Sequence, residues 1–116
     1  MQVDSYIESL LKPLGLPYAE NQFIPYKDKP VPHPPYIVYV IKNEKTDGSD
    51  CRPGGLISVE VAIEFYSDFR DRDTENKIAK ILSDNSLDFE KMYTYINSEE
   101  LHKTTFYISF FYKEDN

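Results

Sequence analysis

Between Leu56 and Tyr66 apolar and polar positions alternate almost without error. Ile57, Val59, Val61, Ile63 and Phe65 fall on one parity, and Ser58, Glu60, Ala62, Glu64 and Tyr66 on the other. Strand side chains point to opposite faces with period two, so this run predicts a strand with one surface to be covered and one toward water. Tyr36 to Lys42 (YIVYVIK) is β-branched and aromatic, and predicts a second strand pairing antiparallel with the first. Between them, Asp47-Gly48 and Pro53-Gly54-Gly55 supply turn chemistry, which predicts a hairpin with a long tip rather than a two-residue connection. Connections of that length commonly carry function.

Two amphipathic segments supply cover for the sheet. Asp4 can cap a helix expected over Ser5 to Lys12, with Ile7, Leu10, Leu11 and Leu14 at helical spacing and Pro13, Gly15 and Pro17 ending it. A second helix is expected over Thr74 to Ser83, capped by Asp71 or Asp73. Ile78, Ile81 and Leu82 line one side, and Glu75, Lys77 and Lys80 are assigned to the solvent side. The proline-rich stretch from Pro17 to Pro35 reads as extended loop packed on the sheet, with room for a short strand near Tyr18 to Glu20. Phe89 to Ile96 and Thr104 to Tyr112 complete the strands, joined by a turn over Asn97 to Leu101, and the polar end of the chain is expected to fray. The expected fold is α+β: an antiparallel or mixed sheet of four to five strands, two helices on one face, and a long hairpin, all in one domain spanning residues 1–116.

Composition then narrows the partners. Hydrophobic residues at 41% and aromatics at 15%, with ten Tyr, seven Phe and no Trp, argue against a disordered chain and make tyrosine the residue to watch for interface use. A formal net charge of -7 disfavours nucleic acid as a tightly gripped ligand, because Lys42 and Lys45, and Arg70 and Arg72, alternate with acids instead of forming a basic patch. DNA fits only as passing cargo, where an acidic wall that does not stick is useful. The single Cys51 leaves no internal disulfide and suits a reducing compartment. The opening MQVDSYIESLL lacks a basic leader pattern and no apolar run approaches membrane length, so a cytosolic product without a membrane partner is expected.

The chemistry-bearing residues have modest readings. His33 and His102 share no register that would unite them as metal ligands. Asp68, Asp71, Asp73 and Glu75 lack the spacing and glycine of a calcium loop and are better explained as caps of the second helix. Cys51 has Arg52 beside it but no general base nearby in sequence, and Gly48, Gly54 and Gly55 precede a strand rather than a helix start, unlike a phosphate-binding loop. Tyr36, Tyr39, Tyr66, Tyr93, Tyr95, Tyr107 and Tyr112 could stack on bases, a use the acidic charge opposes. Decorating sheet faces and a protein interface suits them better.

The succession PPYIVYVIKNEKTDGSD, ISVEVAIEFYSDFRD, ENKIAKIL and FEKMYTYINSEELHKTTFYISFFYKE resembles the tail terminator group of bacteriophage and prophage tail-completion, or head-to-tail joining, proteins. The resemblance covers nearly the whole chain through element order and local phrases such as YINSEEL. It implies a structural virion-assembly protein that catalyses no reaction and needs no cofactor or metal. The implied form is a homo-oligomeric, hexameric ring capping the tail tube protein and meeting the head connector protein. The implied location is the host bacterial cytoplasm during assembly and then the virion tail. No functional residue carries over beyond the hairpin tip, so Asp47, Gly48, Asp50 and Arg52 are the candidate interface residues. Other readings are a different head-tail connector or minor tail protein, or a host-side binding domain kept from a prophage. A small metal-binding or enzymatic module would instead require His33, His102 and the Asp68 to Glu75 acids to converge in a pocket.

Overall fold

The computed structural model of this α+β domain describes residues 3–25, 30–46 and 56–113. Element order is α1 (Val3–Leu11), a short 3₁₀ turn (Lys12–Leu14), β1 (Tyr18–Glu20), β2 (Tyr36–Thr46), β3 (Leu56–Ser67), α2 (Arg72–Asp84), β4 (Phe89–Ile96) and β5 (Leu101–Lys113). The strands form one five-stranded sheet in the order β1-β2-β3-β5-β4, parallel only at β1 and β2 and antiparallel elsewhere.

Register turns the alternation of β3 into two distinct faces. Val59, Val61, Ile63 and Phe65 stand opposite Phe110, Ile108, Phe106 and Thr104 of β5, and antiparallel partners share a face. On the other flank Val61, Ile63 and Phe65 meet Ile41, Tyr39 and Ile37. Onto this helix face α1 lays Val3, Ile7, Leu10 and Leu11, and α2 lays Ile78 and Leu82, which together with the strand residues make the core. Val59, Ile63 and Phe106 are wholly excluded from solvent. The strand expected to have one shielded face therefore has it.

The helix ends differ in detail from the expectation. Asp4 lies inside the first turn of α1 rather than before it. Pro13 tightens the chain into the 3₁₀ turn, whose end is set by Gly15 at φ 69°, a left-handed conformation that glycine adopts without steric cost. Of the two proposed caps for α2, Asp71 serves: its carboxylate accepts from Thr74 N at 3.1 Å and from the Thr74 hydroxyl at 2.7 Å.

Among the described residues, the opposite, open face carries no helix. There Val38, Ala62 and Thr105 are buried between larger neighbours, so the face predicted to be wet is only partly so. Phe23 of the proline-rich loop meets Tyr36 edge-on at 5.2 Å, and Tyr36 stacks on Tyr66 at 5.2 Å, which fixes that loop against the sheet as expected. β2 carries a bulge at Lys42, since Ile41 pairs with Val61 but Asn43 with Glu60. β5 runs past the start of β4, so its stretch from Ser109 onward has β3 on one side and, among the described residues, no strand on the other.

Phe106→Ala is expected to lower the unfolding free energy by about 3–5 kcal/mol, because it empties a filled site beneath α2. Phe111, 71% exposed on the same strand, should tolerate alanine within about 0.5 kcal/mol. Urea denaturation followed by circular dichroism measures both.

Candidate functional site

β4 is the last strand of the sheet, and its hold on the domain is mostly polar. Its helix-face residues, by register with β5, are Phe89, Lys91, Tyr93 and Tyr95. Phe89 packs edge-on against Phe106 at 5.5 Å. Beyond it the first turn of α2 meets the strand through a charged cluster in place of apolar packing.

Glu75, one turn into α2, is 1% exposed and is the centre of that cluster. Its carboxylate accepts from Arg70 Nε at 2.8 Å, from Arg70 Nη2 at 3.3 Å and from the Thr104 hydroxyl at 3.0 Å, and pairs with Lys91 Nζ at 2.7 Å. Two cations and a hydroxyl from three segments thus converge on one buried acid, which satisfies a charge that would otherwise be costly to bury. Burial alone would push this carboxyl up, but the bonds from Arg70, Lys91 and Thr104 outweigh it and hold it below the usual carboxylate range.

The cluster continues outward to the edge. The Arg70 guanidinium sits 3.7 Å from the centre of the Tyr93 ring, and the Tyr93 hydroxyl lies 2.6 Å from His102 Nδ1. Tyr95 meets the His102 ring edge-on at 4.9 Å. Tyr93 and Tyr95 nevertheless remain 38% and 43% exposed. The edge is therefore aromatic, held in place from behind, and open in front.

Glu75 corrects the reading that placed it on the solvent side of α2. It precedes Ile78 by three residues and Leu82 by seven, so it belongs to the apolar stripe, and that spacing was the available signal. Tyr39, grouped with the possible interface tyrosines, is also buried: its hydroxyl donates to Glu8 Oε2 at 2.6 Å, and burial followed by this carboxylate raises its pKa well above the ordinary value. Tyr66 is held up in the same way, by burial and by donation to Glu64 Oε1 at 2.9 Å. Tyr107 lies beneath Lys42, whose ammonium is 5.1 Å from the ring centre.

Asp47, Gly48, Asp50 and Arg52, together with Cys51, fall outside the described residues. His33 is exposed in the proline-rich loop, whereas His102 is engaged by Tyr93. Among the described residues no group of three or more His, Cys, Asp or Glu is arranged to hold a metal ion. Two concavities, of about 330 and about 560 Å³, are lined by residues such as Lys42, Glu60, Asp88 and Tyr107 in the first and Ser83, Ser86 and Leu87 in the second. Neither lining includes a histidine. Among the described residues no helix is long and apolar enough to cross a membrane. A scan against protein-family models and a search of curated proteins return no match to this chain.

Glu75→Gln is expected to cost about 1–3 kcal/mol at pH 7, because Arg70 and Lys91 lose their shared acceptor charge. A carboxyl whose folded pKa is depressed stabilises fully above its unfolded value, here near 4.5, and loses that contribution as pH falls through the folded value. The gap between wild type and variant should therefore be smaller at about pH 3 than at pH 7. Urea titrations at the two pH values measure it.

Proposed function

We propose that this chain is a structural subunit of a bacteriophage or prophage tail, a tail terminator that closes into a hexameric ring over the tail tube and meets the head connector. The observation that carries the reading is the uncovered sheet face. Both described helices lie on one side, while the other presents Tyr36, Tyr66, Tyr107, Met92 and Phe111 between the charged pairs Lys103–Glu64 and Lys42 over Tyr107. Phe111 and Met92 stand 71% and 50% exposed there, and Leu56 a further 51%. A surface of this kind, part aromatic and part mixed-charge, suits contact between protein subunits better than catalysis.

The resemblance in element order to tail-completion proteins supplies the class, and the formal charge of -7 suits a lumen through which DNA passes without sticking. In this role the subunit works through its contacts and catalyses no reaction. The hairpin tip, with Asp47, Gly48, Asp50 and Arg52, is the segment proposed to reach a neighbour or the connector. Another connector or minor tail protein would use the same surfaces toward a different partner.

The purified chain, viewed by negative-stain microscopy alone and after mixing with a bacteriophage tail tube protein, tests the reading. Rings with a central hole, alone or on tube ends, are the expected result. Particles that stay single-chain and leave tube ends bare would overturn it.

A further inference from the structure

We infer that β4 is a pairing edge for a second copy of this chain, joined antiparallel across a two-fold axis. It does not rest on the tail assignment. The strand is terminal in the sheet, and its register with β5 runs from Phe89 opposite Ile108 to Ile96 opposite Leu101 without a bulge. No proline interrupts it, and Met92 to Ile96 carries no charge. Met92, Tyr93 and Tyr95 are 50%, 38% and 43% exposed along it. Edges of this kind invite another strand, and proteins that do not use them blunt them.

Blunting devices are present elsewhere on the same sheet. β1, at the opposite edge, is only three residues long and is bounded by Pro17 and by Asn21 at φ 67°. The part of β2 that β1 leaves uncovered has its bulge at Lys42, followed by the charged Glu44 and Lys45. The free stretch of β5 from Ser109 shares a concavity with Asp88 and Glu90. β4 has neither bulge nor proline, its charges Glu90 and Lys91 sit together near one end, and its side chains are pinned from behind by Glu75 and Arg70.

An unguarded edge on one side only selects the occupant. A head-to-tail contact needs two different open edges, whereas a two-fold contact uses the same edge twice and closes. The residues of β4 accept that symmetry. A two-fold axis normal to the sheet keeps both helix faces on one side only if paired residues have equal parity, so the axis passes at Met92 or at Tyr93. The first sets Lys91 against Tyr93 and Glu90 against Thr94 of the other copy, and the second sets Lys91 against Tyr95 and Glu90 against Ile96. Neither places like charges opposite each other, and both place a lysine beside a tyrosine ring. The shorter register centred on Lys91 would oppose two lysines. In a ring, the same contact would join two rings back to back.

Sedimentation equilibrium of the chain across a concentration series, with the double variant Met92→Glu/Thr94→Glu beside wild type, tests this, because either register then sets like charges opposite each other. Both positions lie on the open face, Met92 opposite Thr105 and Thr94 opposite Lys103, so with acids there the single-chain fold should melt no lower than wild type at high dilution. Wild type should give even multiples of the chain mass, and the variant should raise the dissociation constant at least about tenfold. In wild type, hydrogen exchange of the β4 amides should slow as concentration rises. A single-chain mass throughout, equal association in the variant, or β4 exchange that ignores concentration would overturn the inference. Rings that persist unchanged in the variant would remove this inference and leave the tail reading standing. Even-numbered assemblies without rings would do the reverse.

Discussion

The pairing of β3 with β5 is the constraint from which the rest of the domain follows. Both strands alternate, and their register sets Val59, Val61 and Ile63 beside Phe110, Ile108 and Phe106. A slip of one residue would turn one strand's apolar set toward the open face and set Glu60 or Glu64 against the helices. With the register fixed, the two helices have one surface to cover. β2 and β4 then extend it on either flank, and the open face is defined by what the helices do not reach.

That limited reach explains the character of the β4 flank. α2 supplies Ile78 and Leu82 to the centre, but its first turn arrives over β4 and β5 with Glu75. An acid on an apolar stripe would be a defect without partners, yet Arg70, Lys91 and Thr104 come from three different segments to meet it. Such a cluster demands orientation as greasy packing does not, because each donor must point at the same two oxygens. Removing one partner costs more than an isolated surface pair would, because the acid is excluded from water and has no solvent to replace the lost donor. The aromatic edge inherits this order through the ring of Tyr93 beneath Arg70.

Much of the architecture was legible in the pattern of residues. The alternation from Leu56 to Tyr66, the β-branched run from Tyr36, and the strand from Phe89 to Ile96 all appear where periodicity placed them, as does the short strand at Tyr18. Both helices extend beyond their expected starts, and β5 begins earlier than the apolar run that marked it, because backbone pairing continues through His102 and Lys103 regardless of side-chain polarity. The β4 cluster was harder to see. Arg70, Lys91 and Thr104 are far apart in sequence and meet only once the sheet forms. Glu75 was misassigned because acidity was weighed above its spacing to Ile78 and Leu82. Tyr39 was misjudged for a related reason: a tyrosine at a core parity is buried by its ring, while its hydroxyl finds Glu8.

The bulge in β2 has an effect that spreads along the strand. The extra residue at Lys42 advances every later side chain by one position, so that Lys45 points with Ser58 and Glu44 points with Val59. Pairing that ran on without the bulge would set Lys42 against Glu60 and exchange the two surfaces of the outer arm, sending the carboxylate of Glu44 across the ribbon to the side of Ser58 and the ammonium of Lys45 the other way. The polarity of the arm is thus governed by the register the bulge sets rather than by composition. Loss of the Lys42 codon alone would leave that display as it is, because Asn43 would then follow Ile41 directly and still oppose Glu60.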